Sequence, residues 1–154
     1  MPGASPVGRF PPAQRVRKRR EFEAAQKAGR RVTTPHFVLL LHARDESGVA
    51  RLGIVASRKV GNAVTRNRAK RLVREAFRST RDLFQAGIDL VVIVRRPPES
   101  MKLVDVVDEW RAASGAVQKR TSDARRDLEQ RLAIANPGAS SSRNPPVSGN
   151  RQAP

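Results

Sequence analysis

Cysteine is absent from the 154 residues, which excludes disulfides and thiolate metal or redox sites. Histidine occurs only at His36 and His42, too few for a zinc cluster. Aromatic residues make up 4% of the chain, so whatever core forms is small and mainly aliphatic. No apolar run approaches the ~20 residues needed to span a bilayer, and the first residues lack the apolar stretch of a secretion signal. A cytoplasmic location with no membrane partner is therefore expected. Acidic residues are scarce as well: 14 Asp and Glu stand against 31 Lys and Arg, a formal net charge of +17. Charge of that size bears on partners rather than fold, and its natural partner is a polyanion.

The two ends differ from the middle. Residues 1–14 contain Pro2, Pro6, Pro11 and Pro12 without periodicity, and 136–154 are rich in Pro, Ser, Gly and Asn. Both read as disordered tails, since neither has apolar surface to bury. Between them, Arg17 to Ala28 reads as a helix closed by Gly29. His36 to His42 and Arg51 to Ser57 read as strands, joined by the turn Asp45-Glu46-Ser47-Gly48 into an antiparallel hairpin. Val38 and Leu40 share one face of the first strand with the histidines, and Phe37, Leu39 and Leu41 take the other. Both faces are apolar, so each needs cover or use. Ile88 to Val94 reads as a strand buried on both faces, ended by Pro97 and Pro98. Ser100 then caps a last helix, in which Leu103, Val106, Val107, Trp110, Ala113 and Val117 keep helical spacing. That helix either runs past Arg120 or breaks near Thr121 and resumes toward Leu132. The reading is a small α+β domain over 15–120, with a helical extension over 121–135.

The most charged segment is also a helix. From Arg66 to Arg81 there are seven Lys or Arg and one acid, Glu75. At ~100° per residue, Arg66, Asn67, Lys70, Arg71, Arg74 and Arg78 fall within an arc of about 140°. Thr65, Ala69, Leu72, Val73 and Ala76 gather opposite, as on a core-facing helix. Phe77 lies at the border of the two faces, and Arg68 sits off the basic arc. Asn62 is placed to cap the first turn. A folded helix with one cationic face is suited to phosphates, which Arg clamps through paired donors, while Asn67 offers both a donor and an acceptor.

Around this helix the run from Leu52 to Glu75, with Ser57-Arg58-Lys59-Val60-Gly61-Asn62-Ala63-Val64-Thr65-Arg66-Asn67-Arg68 at its centre, resembles the signature of the bacterial ribonuclease P protein subunit. The resemblance extends from about Arg15 to Arg120 and includes neither tail. It implies a two-layer α/β sandwich of αβββαβα topology, related to a ribosomal-protein domain, with a left-handed crossover against the usual hand. It also implies an accessory to endonucleolytic removal of the 5′ leader from precursor tRNA. Catalysis and Mg²⁺ would belong to the RNA subunit, so no catalytic or metal-binding residue is expected in the chain. Arg66, Asn67, Arg68, Lys70, Arg71 and Arg74 would contact the RNA subunit. Phe22, Val38, Leu40, Ser57, Arg58 and Lys59 would lie in or near a cleft for the single-stranded leader. The chain departs from the family at Gln26 and Leu40, where aromatic residues are often found, so stacking on leader bases should be weaker.

A ribosomal or general RNA-binding protein would bind structured RNA without assisting leader removal. A protein-only nuclease needs clustered carboxylates or histidines, yet Asp45, Glu46, Asp82, Asp89, Asp105 and Asp108 are scattered. DNA recognition by a helix-turn-helix is weaker still, because a strand precedes the basic helix. Trp110 reads as the hydrophobic anchor of the last helix.

Overall fold

A computed structural model describes residues 12–46, 48–98 and 100–135. The two expected tails lie outside these residues, apart from a single 3-10 turn at Pro12–Gln14. The elements run α1 (Arg19–Ala28), β1 (Arg30–Thr33), β2 (Phe37–Ala43), β3 (Arg51–Val55), α2 (Ala63–Ser79), β4 (Ile88–Val94), α3 (Leu103–Ala112) and α4 (Ser114–Ala135). This is the expected mixed α+β order, with α4 carrying the chain beyond it.

The four strands form one sheet in the order β1-β2-β4-β3. β2 is antiparallel to both β1 and β4, while β3 and β4 are parallel and connected through α2. The hairpin expected between the strands at Phe37 and Arg51 does not form, because β4 lies between them. The reason is burial: β4 and β2 are buried at all but one position each, so both take interior slots with a neighbour on either edge. The hairpin is instead β1–β2, a strand the apolar pattern did not reveal because Arg30–Thr33 is half arginine. Its turn is closed by the Thr34 amide donating to the Phe37 carbonyl at 2.8 Å, and by Thr34 Oγ1 accepting the Phe37 amide at 3.2 Å.

Strand alternation sorts the core. Phe37, Leu39, Leu41, Leu90 and Val92 face a cluster with Val73 and Phe77 of α2, Trp110 of α3 and Val117 of α4. Trp110 is fully buried and packs edge-on against Phe37 and Phe84, as an anchor should. Burial of side chains such as Val73 and Phe77 contributes about 1.5–3 kcal/mol each. The second face carries Val38, Leu40 and Val91 beneath Ala25 and Phe22 of α1.

Helix ends differ from expectation by a few residues. α1 begins after Lys18, where the Glu21 carboxylate accepts the Lys18 and Arg17 amides at 3.2 and 3.3 Å. Lys102 rather than Ser100 precedes α3, with the Asp105 carboxylate accepting its amide at 2.8 Å. Gly29 is extended (φ −69°, ψ 152°), not left-handed; glycine is needed because a Cβ would collide with the Ala25 carbonyl oxygen. The helical break falls at Ala113, and α4 runs unbroken through Thr121. α4 is tied down by Arg30, whose Nε and Nη2 donate to Asp127 at 2.7 and 2.8 Å, and by Arg131 donating to the Ala43 carbonyl at 2.6 Å.

Candidate nucleic-acid interface

The face of the sheet beneath α1 is ordered in rows by strand register. Thr33, Val38, Ile93 and Val55 form one row, and Arg31, Leu40, Val91 and Gly53 the next. A third holds His42, Asp89 and Arg51. α1 crosses this face with Phe22 over Gly53. A Cβ at Gly53 would lie 2.7 and 2.8 Å from Phe22 Cε1 and Cζ, so only glycine lets the ring settle there. Beside α1, half-exposed Phe22, Val55 and Ile93 with Val38 make an apolar floor. Leu40 is only 1% exposed and lies under the helix, where it supports the floor without offering its own surface.

On the other side of α1 the sheet is charged. Asp89 is 3% exposed and accepts from Arg51 Nε and Nη2 at 2.8 and 2.9 Å, and from Arg44 Nη1 at 2.9 Å. Arg51 also reaches Glu21 at 3.3 Å, which fixes α1 to β3 and β4. Burial works against ionisation of Glu21, but the Lys18 and Arg17 amides and the Arg51 guanidinium together hold its carboxyl below the usual range.

The floor leads off the end of β3 into exposed Ser57, Arg58 and Lys59. Ser57 Oγ accepts the Lys59 amide at 3.3 Å, and Val60, 3% exposed, pins this 3-10 turn to the core. Gly61 follows at φ 149°, a conformation L side chains rarely adopt. Asn62 then caps α2 as expected, its Oδ1 accepting the Thr65 amide at 3.0 Å. The leader-site candidates thus adjoin the start of the basic helix.

On α2, Ala69, Val73, Ala76 and Phe77 are fully buried, which puts the borderline Phe77 in the core. Asn67, Arg71 and Arg74 are exposed, and Arg66 and Lys70 are half-buried. None of Arg66, Lys70, Arg71 and Arg74 forms an ion pair among the described residues. Arg66–Lys70 and Lys70–Arg74 are like-charge neighbours one turn apart, each costing about 0.2–0.5 kcal/mol. Arg68 is turned away from this ridge. Its Nη1 donates to the Pro98 carbonyl at 2.6 Å and its Nη2 to the Met101 carbonyl at 2.8 Å, joining α2 to the segment before α3.

Several cations elsewhere are engaged internally. Arg111 pairs with Asp82 through bonds of 2.8 and 3.0 Å, and that hydrogen bonding holds the Asp82 carboxyl below its ordinary value. Hydrogen bonds from Arg30 do the same for Asp127. Among the described residues no three His, Asp or Glu side chains come together to hold a metal, and no helix is long and apolar enough to cross a membrane.

A family model described as Ribonuclease P matches residues 10–118, from the segment before α1 into the second turn of α4. The chain belongs to the ribonuclease P protein family. It is 42% identical over 97 residues to the ribonuclease P protein component of Syntrophus aciditrophicus, spanning 63% of this chain and 81% of that one. The component from Gluconacetobacter diazotrophicus is 46% identical over 84 residues, 54% of this chain and 72% of its own. Among solved structures, the ribonuclease P protein of Staphylococcus aureus aligns with TM-score 0.58 at 34% identity, covering 65% of this chain and 91% of that one. That of Thermotoga maritima aligns at 0.57 and 35%, covering 64% and 92%. Residues 119–135 of α4 lie beyond the ribonuclease P match.

Within the ribonuclease P fold, four contributors to the surface escaped the residue pattern. Val55 and Ile93 extend the floor beside Val38, Gly53 seats Phe22, and Arg15 approaches the basic helix. Alternation along β3 and β4 marks the first two once the strand order is known; Arg15 carries no such signal.

Proposed function

We propose that the chain is the RNA-binding subunit of ribonuclease P, assisting a catalytic RNA in removing the 5′ leader from precursor tRNA. The observation that carries this reading is the cationic ridge of α2, where Arg66, Lys70, Arg71 and Arg74 form no ion pair among the described residues, continuous through Ser57–Lys59 with an apolar floor. Arg66, Lys70, Arg71 and Arg74 neutralise backbone phosphates of the RNA subunit and release their counterions. Asn67 supplies a donor and an acceptor to a ribose hydroxyl or base edge. Arg68 braces the helix that carries these groups.

The leader lies along the floor of Phe22, Val38, Val55 and Ile93, with Arg58 and Lys59 meeting its phosphates. Stacking on an aromatic ring is worth about 1–3 kcal/mol per base. With Phe22 the sole ring on this floor among the described residues, the contribution is confined to about one base. Leu40 acts through its neighbours. The chain brings no reacting group of its own: hydrolysis and the Mg²⁺ it needs reside in the RNA. Among the half-buried and buried acids, Asp89, Asp123 and Asp127 are bound to arginines, Glu21 to helix amides and Arg51, and Glu109 to the amide and ring of His36.

Equilibrium binding to a bacterial ribonuclease P RNA tests the interface. Arg66→Glu/Arg71→Glu should weaken binding by more than tenfold at moderate salt, with an unchanged circular dichroism spectrum. Unchanged affinity would remove the ridge from the interface. In a second arm, Phe22→Ala should weaken binding of precursor tRNA to the reconstituted complex more than binding of mature tRNA.

A further inference from the structure

α1 has little apolar surface with which to fix its own position. Ala25 is its one buried residue, and Phe22 is half-exposed. A helix of ten residues is also marginal by itself, so its place on the sheet depends on tethers. Gly29 joins its C-terminal end directly to β1. Phe22 lies in the first turn, at the end away from that junction, where a tether of another kind is needed.

Glu21 supplies it by using both carboxylate oxygens. Oε1 accepts the Lys18 and Arg17 amides, and Oε2 meets Arg51 Nη2 at 3.3 Å. Arg51 is in turn aimed by buried Asp89, whose two oxygens accept Nε at 2.8 Å and Nη2 at 2.9 Å as a fork. Arg51 and Asp89 are register partners on β3 and β4, and Arg44, just past β2, holds the same carboxylate at 2.9 Å. Arg51, Gly53 and Val55 share one face of β3. Consecutive residues of α1 therefore meet alternate residues of that face, Glu21 at Arg51 and Phe22 at Gly53. Charges taken out of water return little net stability. Their use here is geometric, because the fork on Asp89 leaves Arg51 one direction in which to reach α1.

We propose that Arg51 is a positioning residue for leader binding: anchored on Asp89, it holds Glu21 and so sets the Phe22 ring over the floor. The proposal rests on the leader reading above and adds to it three residues that act without touching the leader.

The test uses the full chain reconstituted with a bacterial ribonuclease P RNA and compares binding of precursor and mature tRNA. Arg51→Lys keeps the charge and loses the fork, so precursor binding should weaken about three- to tenfold, part of the ~5- to 100-fold that one stacked base supplies. Binding of mature tRNA, and affinity for the catalytic RNA, should not change. Glu21→Gln leaves the Arg51–Asp89 fork in place, so the sheet is undisturbed, and it should give the same loss. In a Phe22→Ala background neither substitution should weaken precursor binding further, since the ring they position is gone. An effect that persists there would mean that Arg51 meets the leader itself or acts elsewhere, and would overturn the positioning role. So would an equal loss for mature tRNA, the sign of general damage. If Phe22→Ala lowers the preference for precursor while Arg51→Lys and Glu21→Gln do not, the positioning role alone falls. If Phe22→Ala leaves that preference intact, the leader reading falls and the positioning role with it.

Discussion

Replacing Arg68 by alanine separates bracing from binding within the basic motif. Arg68 donates to two carbonyls, at 2.6 Å to Pro98 and 2.8 Å to Met101. Pro98 is buried, so its carbonyl loses a partner that water replaces poorly. A charged hydrogen bond is worth about 1.5–3 kcal/mol, and an orphaned buried carbonyl costs about 1–3 kcal/mol. The Met101 bond is exposed and contributes less, so the combined loss should be near ~2 kcal/mol. Arg66→Ala breaks no such bond and relieves repulsion from Lys70, so it should stay within about 0.5 kcal/mol of the parent. Urea unfolding followed through Trp110, the one tryptophan, reads both variants. Arg68→Lys should recover little, because an ammonium lacks the fork that reaches two carbonyls. Equal stability of Arg68→Ala and Arg66→Ala would refute the bracing role and return Arg68 to the RNA-facing set.

Gly53→Ala should cost about 1–3 kcal/mol by forcing the Phe22 ring from its seat, and should weaken precursor tRNA binding in the holoenzyme without changing affinity for the RNA subunit. Trp110→Ala should cost about 3–5 kcal/mol; Trp110→Phe should cost far less in the same unfolding assay, because the indole Nε1 has no hydrogen-bond partner to lose. Burial, with Arg131 nearby, lowers the His42 pKa below 6.5 despite the opposing charges of Asp89 and Asp127. Between that lowered value and 6.5 the unfolded chain binds a proton that the folded chain refuses, so stability is full above 6.5 and declines as pH falls through the window. His42→Gln should flatten that part of a melting-temperature profile, and an unchanged profile would count against the half-buried neutral imidazole.

The basic helix was readable because its periodicity, its Asn62 cap and its separation of charge from apolar residues are local properties, although spacing alone places Phe77 at the border of the two faces. Strand order was not, since apolar content marks β2 and β4 as interior but does not say which strand lies between which. β1 was missed for the same reason: an edge strand with Arg30 and Arg31 owes its place to pairing with β2, not to its own pattern. Arg68 shows the limit at the site itself. Its angle on the helix signalled that it was unlike its neighbours, but its carbonyl partners lie about thirty residues further on, beyond what spacing reveals. Leu40 is the converse: alternation put it on the right face, and only the path of α1 decided that it would be covered.

The most direct measurement is the turnover of precursor tRNA by a bacterial ribonuclease P RNA at low Mg²⁺, with and without this chain, and by the chain alone. Faster cleavage at the same 5′ site when the chain is added, with none from the chain by itself, is the predicted result. Cleavage by the protein without RNA, or a turnover that its addition leaves unchanged, would contradict the account.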